Sequence, residues 1–177
     1  EPTVGMEVIL AAGVFDIFHS LDAGTSWQVI EAPTQPAGGA VDWETRQLYV
    51  VGVNCSGLIS KSLDGGNVWT PGPAGACAVA AANGKALAVT DVLRYSPDKG
   101  LNWFPSMVAG SSFRAAAIAY APTQPSVAYA VESFDQASPL AQRVVRSSDG
   151  GATWTVVGAI PADGTYEFNL TVSSIPG

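Results

Sequence analysis

Short apolar runs alternate along the chain with turns rich in Gly, Pro, Asp and Ser. The longest apolar stretches, residues 8–14 and 76–82, have the length of strands. None approaches the roughly 18 apolar residues of a membrane-spanning helix, so we expect no membrane span. Residues 57–62 and 68–70 alternate in polarity on either side of a turn that contains Asp and Gly, which is typical of a β-hairpin. The pattern therefore predicts an all-β chain of many short antiparallel strands.

One turn pattern occurs four times: Ser, any residue, Asp, any residue, Gly, two further residues and Trp. Its fixed positions are Ser20, Asp22, Gly24 and Trp27; Ser62, Asp64, Gly66 and Trp69; Ser96, Asp98, Gly100 and Trp103; and Ser147, Asp149, Gly151 and Trp154. The Asp can accept hydrogen bonds from backbone N–H groups of the turn, the Gly supplies a positive φ, and the Trp begins the outgoing strand with a large buried ring. We therefore interpret each copy as a structural element that closes one hairpin.

This pattern resembles the Asp-box (BNR) repeat of sialidases, sortilin-type receptor ectodomains, some plant-wall glycoside hydrolases and photosystem assembly factors. The resemblance covers every blade-sized segment of the chain. It implies a β-propeller of four-stranded antiparallel blades, with strands A to D counted from the centre outwards and the box between C and D. In the resembling families the boxes lie on the face opposite the ligand site. The resemblance implies an architecture and no particular activity.

The spacing of the boxes predicts the blades. Consecutive box aspartates are 42, 34 and 51 residues apart, against roughly 40–45 residues for a four-stranded blade. We expect one propeller domain over residues 1–177, made of strands B to D of a first blade in 1–37, full blades in 38–74, 75–108 and 112–162, and a closing A strand in 165–177. The chain thus holds four blades' worth of strands.

Two arrangements of these blades stay open. The chain could close on itself as a four-bladed ring, the low end of the known range, or form part of a larger propeller completed by further blades or by another copy. Resembling families usually have six or more blades, which favours the second arrangement. Small residues expected at the centre favour the first: Ala76, Ala78, Ala115, Ala117 and Ala119.

Ligands of propellers usually bind at the mouth of the central channel, beside the D–A and B–C loops. The polar and aromatic residues expected near this face are Asp42, Trp43, Arg114, Glu132, Asp135, Asp163, Tyr166 and Glu167. Because glycoside hydrolysis needs two carboxylates about 5–10 Å apart, the catalytic candidates are Asp42, Glu132, Asp135 and Glu167. The ligand-binding candidates are Arg114, Trp43 and Tyr166. The arginine motif of sialidases, Phe-Arg-Ile-Pro, is matched only in its first two residues by Phe113–Ala116.

Composition narrows the function classes. The net charge is −7, with 8 Lys and Arg against 15 Asp and Glu, and the basic residues form no run. Nucleic-acid binding relies on clustered Lys and Arg, so we expect no nucleic-acid partner. The single histidine, His19, has no metal-ligand neighbours in sequence, so we expect it to be solvated, and we expect no metal and no cofactor. Cys55 and Cys77 are either two small buried thiols or a disulfide between neighbouring blades, which would imply an oxidising compartment.

These observations favour a mature or excised, extracytoplasmic or secreted propeller that acts as a non-catalytic binding or scaffold module for protein or glycan. Its loops would be presented on one face of a rigid β scaffold. The alternative is a glycoside hydrolase, sialidase-like or other, or a fragment of one. A third possibility is an assembly unit whose open strand edges pair with another chain.

Overall fold

The chain is folded almost entirely into β-strands. The computed structural model describes residues 8–12, 16–20, 22, 24–42, 44–55, 57–133, 142–160, 170 and 172. In this part of the chain there are seventeen strands, one 3-10 turn at Val53–Cys55 and no α-helix. It also contains no helix of the length and apolarity needed to cross a bilayer. The predicted all-β class is confirmed.

The strands form four sheets, numbered in chain order. Sheet 1 contains β1 (Val8–Ala12), β2 (Asp16–Ser20) and β3 (Gln28–Glu31). Sheet 2 contains β4 (Pro36–Asp42), β5 (Gln47–Gly52), β6 (Leu58–Ser62) and β7 (Thr70–Ala74). Sheet 3 contains β8 (Ala78–Ala82), β9 (Lys85–Val89), β10 (Leu93–Ser96) and β11 (Phe104–Pro105). In these three sheets each strand is antiparallel to the next one in the chain.

Sheet 4 contains six strands in the spatial order β14–β15–β16–β17–β12–β13. They are β12 (Met107–Val108), β13 (Ser111–Ser112), β14 (Arg114–Ala121), β15 (Gln124–Ser133), β16 (Gln142–Ser147) and β17 (Thr153–Ile160). Strand β12 is parallel to β17, whereas the other neighbours are antiparallel. Residues 107–108, expected at the end of the third blade, therefore pair with the outer strand of the next sheet.

Ser106 explains this change of sheet. Its backbone N–H donates to the carbonyl of Leu93 in sheet 3 at 2.8 Å, and its hydroxyl donates to the carbonyl of Gly151 in sheet 4 at 2.6 Å. The next N–H, of Met107, donates to the carbonyl of Ala152 at 2.9 Å. The connection is thus fastened to both sheets before β14 begins.

The core lies between the sheets, because the second strand of each inner sheet is buried on both faces. In β5 every residue is buried; Val50 packs with Ile17 towards sheet 1, and Tyr49 packs with Ala86 towards sheet 3. Leu87, on the other face of β9, packs towards sheet 4. Two-sided burial accounts for apolar runs that are continuous rather than alternating.

The innermost strands line up around a common space. Strand β1 packs against β4, β4 against β8, and β8 against β14. Sheet 1 has three strands in the described part of the chain; most of the expected closing strand at 165–177 lies outside the described residues. A disulfide joins Cys55, after β5, to Cys77, just before β8. Of the two readings of these cysteines, the structure shows the bridge between neighbouring sheets.

Candidate functional site

The four repeat turns (20–27, 62–69, 96–103 and 147–154) share one hydrogen-bond pattern. In each, the Ser hydroxyl donates to the Asp carboxylate at 2.7–2.9 Å and accepts the Gly N–H at 2.7–2.9 Å. The same carboxylate accepts a backbone N–H four residues further on, at 2.8–3.0 Å. Each Asp therefore stabilises the turn in which it lies.

Hydrogen bonds keep these carboxylates ionised. A side-chain bond from Ser26 is the largest cause that lowers the pKa of Asp22 to about 2. Bonds from the backbone N–H groups of Val68 and Asn102 likewise lower the pKa of Asp64 and of Asp98. Burial alone would raise the pKa of Asp149, but bonds from Thr153 outweigh it and the pKa is lowered. Because they stay ionised at neutral pH, these groups are unsuited to acid catalysis.

The tryptophan completes the turn in three of the four copies. The indole N–H groups of Trp27, Trp103 and Trp154 donate to the Gly carbonyl of their own turn at 3.0, 3.1 and 2.8 Å. In the second copy the indole nitrogen of Trp69 is buried and has no hydrogen-bond partner. The indole of Trp69 packs instead against the cluster of Ile17, Ala32 and Val50 between sheets 1 and 2.

Asp42, a catalytic candidate, lies fully buried at the end of β4. In its own hairpin the carboxylate accepts the N–H of Glu44 at 3.2 Å and the hydroxyl of Thr45 at 2.7 Å. It also accepts the N–H of Asn83 at 2.9 Å and that of Gly84, both in the hairpin of sheet 3. These donors occupy both oxygens, so the carboxylate joins two sheets rather than facing a ligand.

Glu132, a second catalytic candidate, is paired. Its carboxylate receives two bonds from the Arg143 guanidinium, at 2.6 and 2.7 Å. Glu132 is 6% exposed, and the hydrogen bond to it is the largest cause that raises the pKa of Arg143. A bidentate pair of this kind has a restricted geometry and engages both carboxylate oxygens of Glu132. Arg114, a ligand-binding candidate, lies nearby as an exposed residue at the start of β14, opposite Ser133.

These candidates do not share one face of the molecule. Glu132 and Arg114 lie where β14 begins and β15 ends. Asp42 lies where β4 ends and is bonded to the β8–β9 hairpin, whose Gly84 carbonyl in turn accepts the N–H of Lys99 in the third repeat turn. The expectation that Asp42 faces the same way as Arg114 is therefore wrong, because it follows strand A rather than preceding it. The candidates Trp43, Asp135, Asp163, Tyr166 and Glu167 lie outside the described residues.

A cavity that no sequence motif indicated lies between the ends of β4, β8 and β14. We call it the axial cavity; its volume is about 680 Å³. Small apolar residues form much of its wall: Ala40, Val79, Ala80, Ala81, Ala82, Ala119 and Ala121. Glu44 and Asn83 lie at its polar edge. Tyr120 also lines it, with its hydroxyl bonded to the Gly150 carbonyl at 2.9 Å and its pKa raised by burial. The feature of the sequence that could have indicated this cavity is the alanine-rich run 78–82.

Two of the basic side chains that precede repeat serines, His19 and Lys61, are buried. The expectation that His19 is solvated is wrong: it is 4% exposed, and it lines a cleft of about 690 Å³ together with Asp64 and Gly66 of the second repeat turn. Lys61 is 4% exposed and donates to the carbonyl of Lys99 in the third turn at 3.0 Å; burial lowers its pKa. Within the described ranges, no three His, Cys, Asp or Glu side chains are grouped so that they could hold a metal ion.

Comparison with known proteins supports the fold. No family profile matches the chain, and no curated protein matches it. Among solved structures it is similar to YCF48 bound to D1 peptide, with 18% identity over 88% of this chain and 54% of that chain and a TM-score of 0.52. It is similar to an ancestral GH74 enzyme, with 15% identity over 87% of this chain and 22% of that chain and a TM-score of 0.60. It is also similar to the GH74 enzyme of Niastella koreensis, with 20% identity, coverages of 81% and 22%, and a TM-score of 0.52.

These neighbours are β-propeller proteins, and likeness at this level of identity concerns the fold alone. The chain spans about half the length of the YCF48 chain and about a fifth of the GH74 chains. It therefore has the architecture of propeller blades, on which both binding proteins and hydrolases are built.

Proposed function

We propose that this chain is an Asp-box (BNR) propeller module, made of four blades' worth of strands, that works outside the cytoplasm as a non-catalytic binding protein. Its ligand is a protein segment that inserts an apolar side chain into the axial cavity. The observation that carries the proposal is the composition of that cavity: a wall of alanines with one exposed carboxylate, Glu44, at its edge. The disulfide between Cys55 and Cys77 supports an oxidising compartment.

Two features make binding a better reading than glycoside hydrolysis. Hydrolysis needs a pair of carboxylates about 5–10 Å apart, yet Asp42, the other acid at the cavity, has both oxygens engaged by backbone and hydroxyl donors. An apolar pocket with a few polar groups at its edge is typical of a preformed ligand site. YCF48, one of the structural neighbours, was solved with a peptide bound, which supports a protein ligand ahead of a glycan.

Filling the cavity tests the proposal. We expect peptides with a large apolar residue, beside a Lys or Arg that can meet Glu44, to be selected from an immobilised random library. Ala119→Leu narrows the cavity and should weaken binding of the selected peptides by about tenfold or more, since a displaced side chain loses about 1.5–3 kcal/mol of burial. Ala116→Leu, at an exposed position of the same strand, is the matched control and should change the affinity less than twofold.

Two results would contradict the proposal. One is an equal loss of affinity in Ala119→Leu and Ala116→Leu, which would move the peptide away from the cavity. The other is turnover of chromogenic glycosides by the wild-type chain that is lost in Glu44→Gln, which would make the carboxylate of Glu44 a catalytic group.

A further inference from the structure

The contact between neighbouring sheets has a repeating geometry. The Gly of one repeat turn packs on two paired residues of the sheet before it, one from the second strand and one from the third. A Cβ built on Gly100 would lie 3.1 Å from Tyr49 and from Lys61, which are opposite each other in sheet 2. A Cβ on Gly151 would lie 2.3 Å from Leu87 in the pair that Leu87 forms with Tyr95 in sheet 3. We call such a pair a receiving pair.

The receiving pair of sheet 2 also forms a polar bond with the turn it holds. The ammonium group of Lys61 donates to the carbonyl of Lys99, the residue before Gly100, at 3.0 Å. The negative charge of Asp98, in the same turn, acts on Lys61 and favours its protonated form. A cation on the third strand therefore suits a repeat turn in both hydrogen bonding and charge.

Sheet 4 has a receiving pair with no repeat turn on it. Tyr129 and Arg146 are opposite each other in β15 and β16, in the register that Tyr49 and Lys61 have in sheet 2. Tyr49 is fully buried and Lys61 is 4% exposed, whereas Tyr129 and Arg146 are both only half-buried. In the described part of the chain, the Arg146 guanidinium and the Tyr129 hydroxyl have no hydrogen-bond or ion-pair partner.

The glycine of the first repeat turn, conversely, has no receiving pair against it in the described residues. Gly66, Gly100 and Gly151 are buried, whereas Gly24 is half-buried, and a Cβ on it would meet only Trp27 of its own turn. Trp27 is 39% exposed, against 3% for Trp154. The second turn differs in part, since Gly66 lies against Ile30 of β3, but it too is covered by the preceding sheet.

We infer that the receiving pair Tyr129–Arg146 of one copy binds the first repeat turn of a second copy, so that two chains join head to tail. The interface continues the geometry already present between sheets 2 and 3. Arg146 takes the place of Lys61, and Asp22 takes the place of Asp98, which pairs a cation with an anion. In the described residues, sheet 4 does not pack against sheet 1 as the other sheets pack against their neighbours, and a Cβ on Gly24 of the first turn would meet no residue of sheet 4.

Head-to-tail contacts of this kind build rings when the rotation closes and longer assemblies when it does not. A second copy continues the row of blades in either case. The inference is independent of ligand binding, because the axial cavity and the receiving pair share no residue.

Sedimentation velocity over a wide range of protein concentration tests the inference. The wild-type chain should move from its 18.1 kDa monomer to larger species as the concentration rises. Arg146→Glu places an anion opposite Asp22 and should weaken association by about tenfold or more; Tyr129→Ala should also weaken it. Arg114→Glu makes the same charge change at an exposed site elsewhere on sheet 4 and should associate as the wild type does.

Thermal unfolding of each variant at low concentration shows whether the monomer is still folded. A wild-type chain that stays monomeric at every concentration overturns the inference. If Arg146→Glu then lowers the melting temperature of that monomer more than Arg114→Glu does, the surface holds the chain's own first turn instead. Equal weakening of association by the two charge reversals would also overturn it, because the effect would then be one of net charge. Peptide binding by monomeric Arg146→Glu keeps the test of the axial cavity separate.

Discussion

Replacement of Asp42 measures how firmly sheets 2 and 3 are joined. Its carboxylate accepts the N–H groups of Asn83 and Gly84 from the neighbouring sheet, in addition to two donors in its own hairpin. A hydrogen bond to a charged group contributes about 1.5–3 kcal/mol. The two donors of sheet 3 cannot reach another acceptor unless the hairpin moves, so we expect Asp42→Ala to lower the free energy of unfolding by about 3–5 kcal/mol.

Asp42→Asn removes the negative charge but keeps the shape of the side chain, so it shows how much of the loss is due to charge. The amide keeps one acceptor oxygen but turns an NH₂ group towards a backbone N–H, so about 2–3 kcal/mol should be lost. Urea unfolding followed by tryptophan fluorescence checks both values. With a slope of about 2 kcal/mol per molar urea, the midpoint should fall by about 1.5–2.5 M for Ala and about 1–1.5 M for Asn.

Asp91→Ala is the matched control, since Asp91 is an exposed acid whose ion pair with Arg94 spans 3.5 Å at the surface. Exposed pairs of this kind contribute about 0.2–1 kcal/mol. If Asp42→Asn unfolds at the same urea concentration as Asp91→Ala, the carboxylate does not join the sheets and the reasoning fails. If instead a glycosidase activity disappears in Asp42→Asn at unchanged stability, Asp42 is a catalytic residue.

Three further outcomes are expected. Gly151→Ala should cost about 3 kcal/mol or more in urea unfolding, because its Cβ would lie 2.3 Å from Leu87, whereas Gly65→Ala, with open space around it, should cost about 1 kcal/mol. Reduction of Cys55–Cys77, which encloses a loop of 22 residues, should destabilise the chain by about 3 kcal/mol in thermal unfolding with and without reductant. Because folding lowers the pKa of the box aspartates, to about 2 for Asp22 against 3.8, the unfolded chain binds more protons in acid; circular dichroism should show stability present above about pH 4 and lost progressively towards pH 2.

The repeat turns could be predicted from the sequence because every partner in them is local. The Ser, Asp, Gly and Trp that bond to one another lie within eight consecutive residues, so spacing alone describes the geometry. Asp42 is different, since two of its donors are 41 and 42 residues away in the chain. Nothing next to Asp42 in sequence distinguishes a carboxylate that joins two sheets from one that faces a ligand.

The same difference explains why the expectation that His19 is solvated was wrong. A histidine or lysine at the end of a strand, next to a polar turn, is usually exposed. Lys61 is buried against the third repeat turn, to which it donates a hydrogen bond, and His19 is buried beside the second, with which it lines one cleft. Their environment depends on how the sheets are stacked, and so does the pairing of Cys55 with Cys77; both depend on residues that the local pattern does not contain.

The stacking also gives a second reason for the glycine of the repeat. A positive φ would explain the glycine that lies three residues before each Trp. In the third turn, however, the residue just before that glycine also has a positive φ, 63°, and it is a lysine, Lys99. Backbone conformation is therefore not sufficient to require glycine. In the second turn the neighbouring sheet distinguishes the fixed position: a Cβ on Gly66 would lie 2.5 Å from Ile30, whereas one on Gly65 would meet nothing within 4 Å. In the fourth turn a Cβ on either Gly150 or Gly151 would meet sheet 3, at the flexible end of Lys85 or at Leu87. The glycine of the motif is therefore required by the contact between blades as well as by the turn. A motif glycine with no neighbouring sheet against it, such as Gly24, is consistent with a surface that a second chain covers.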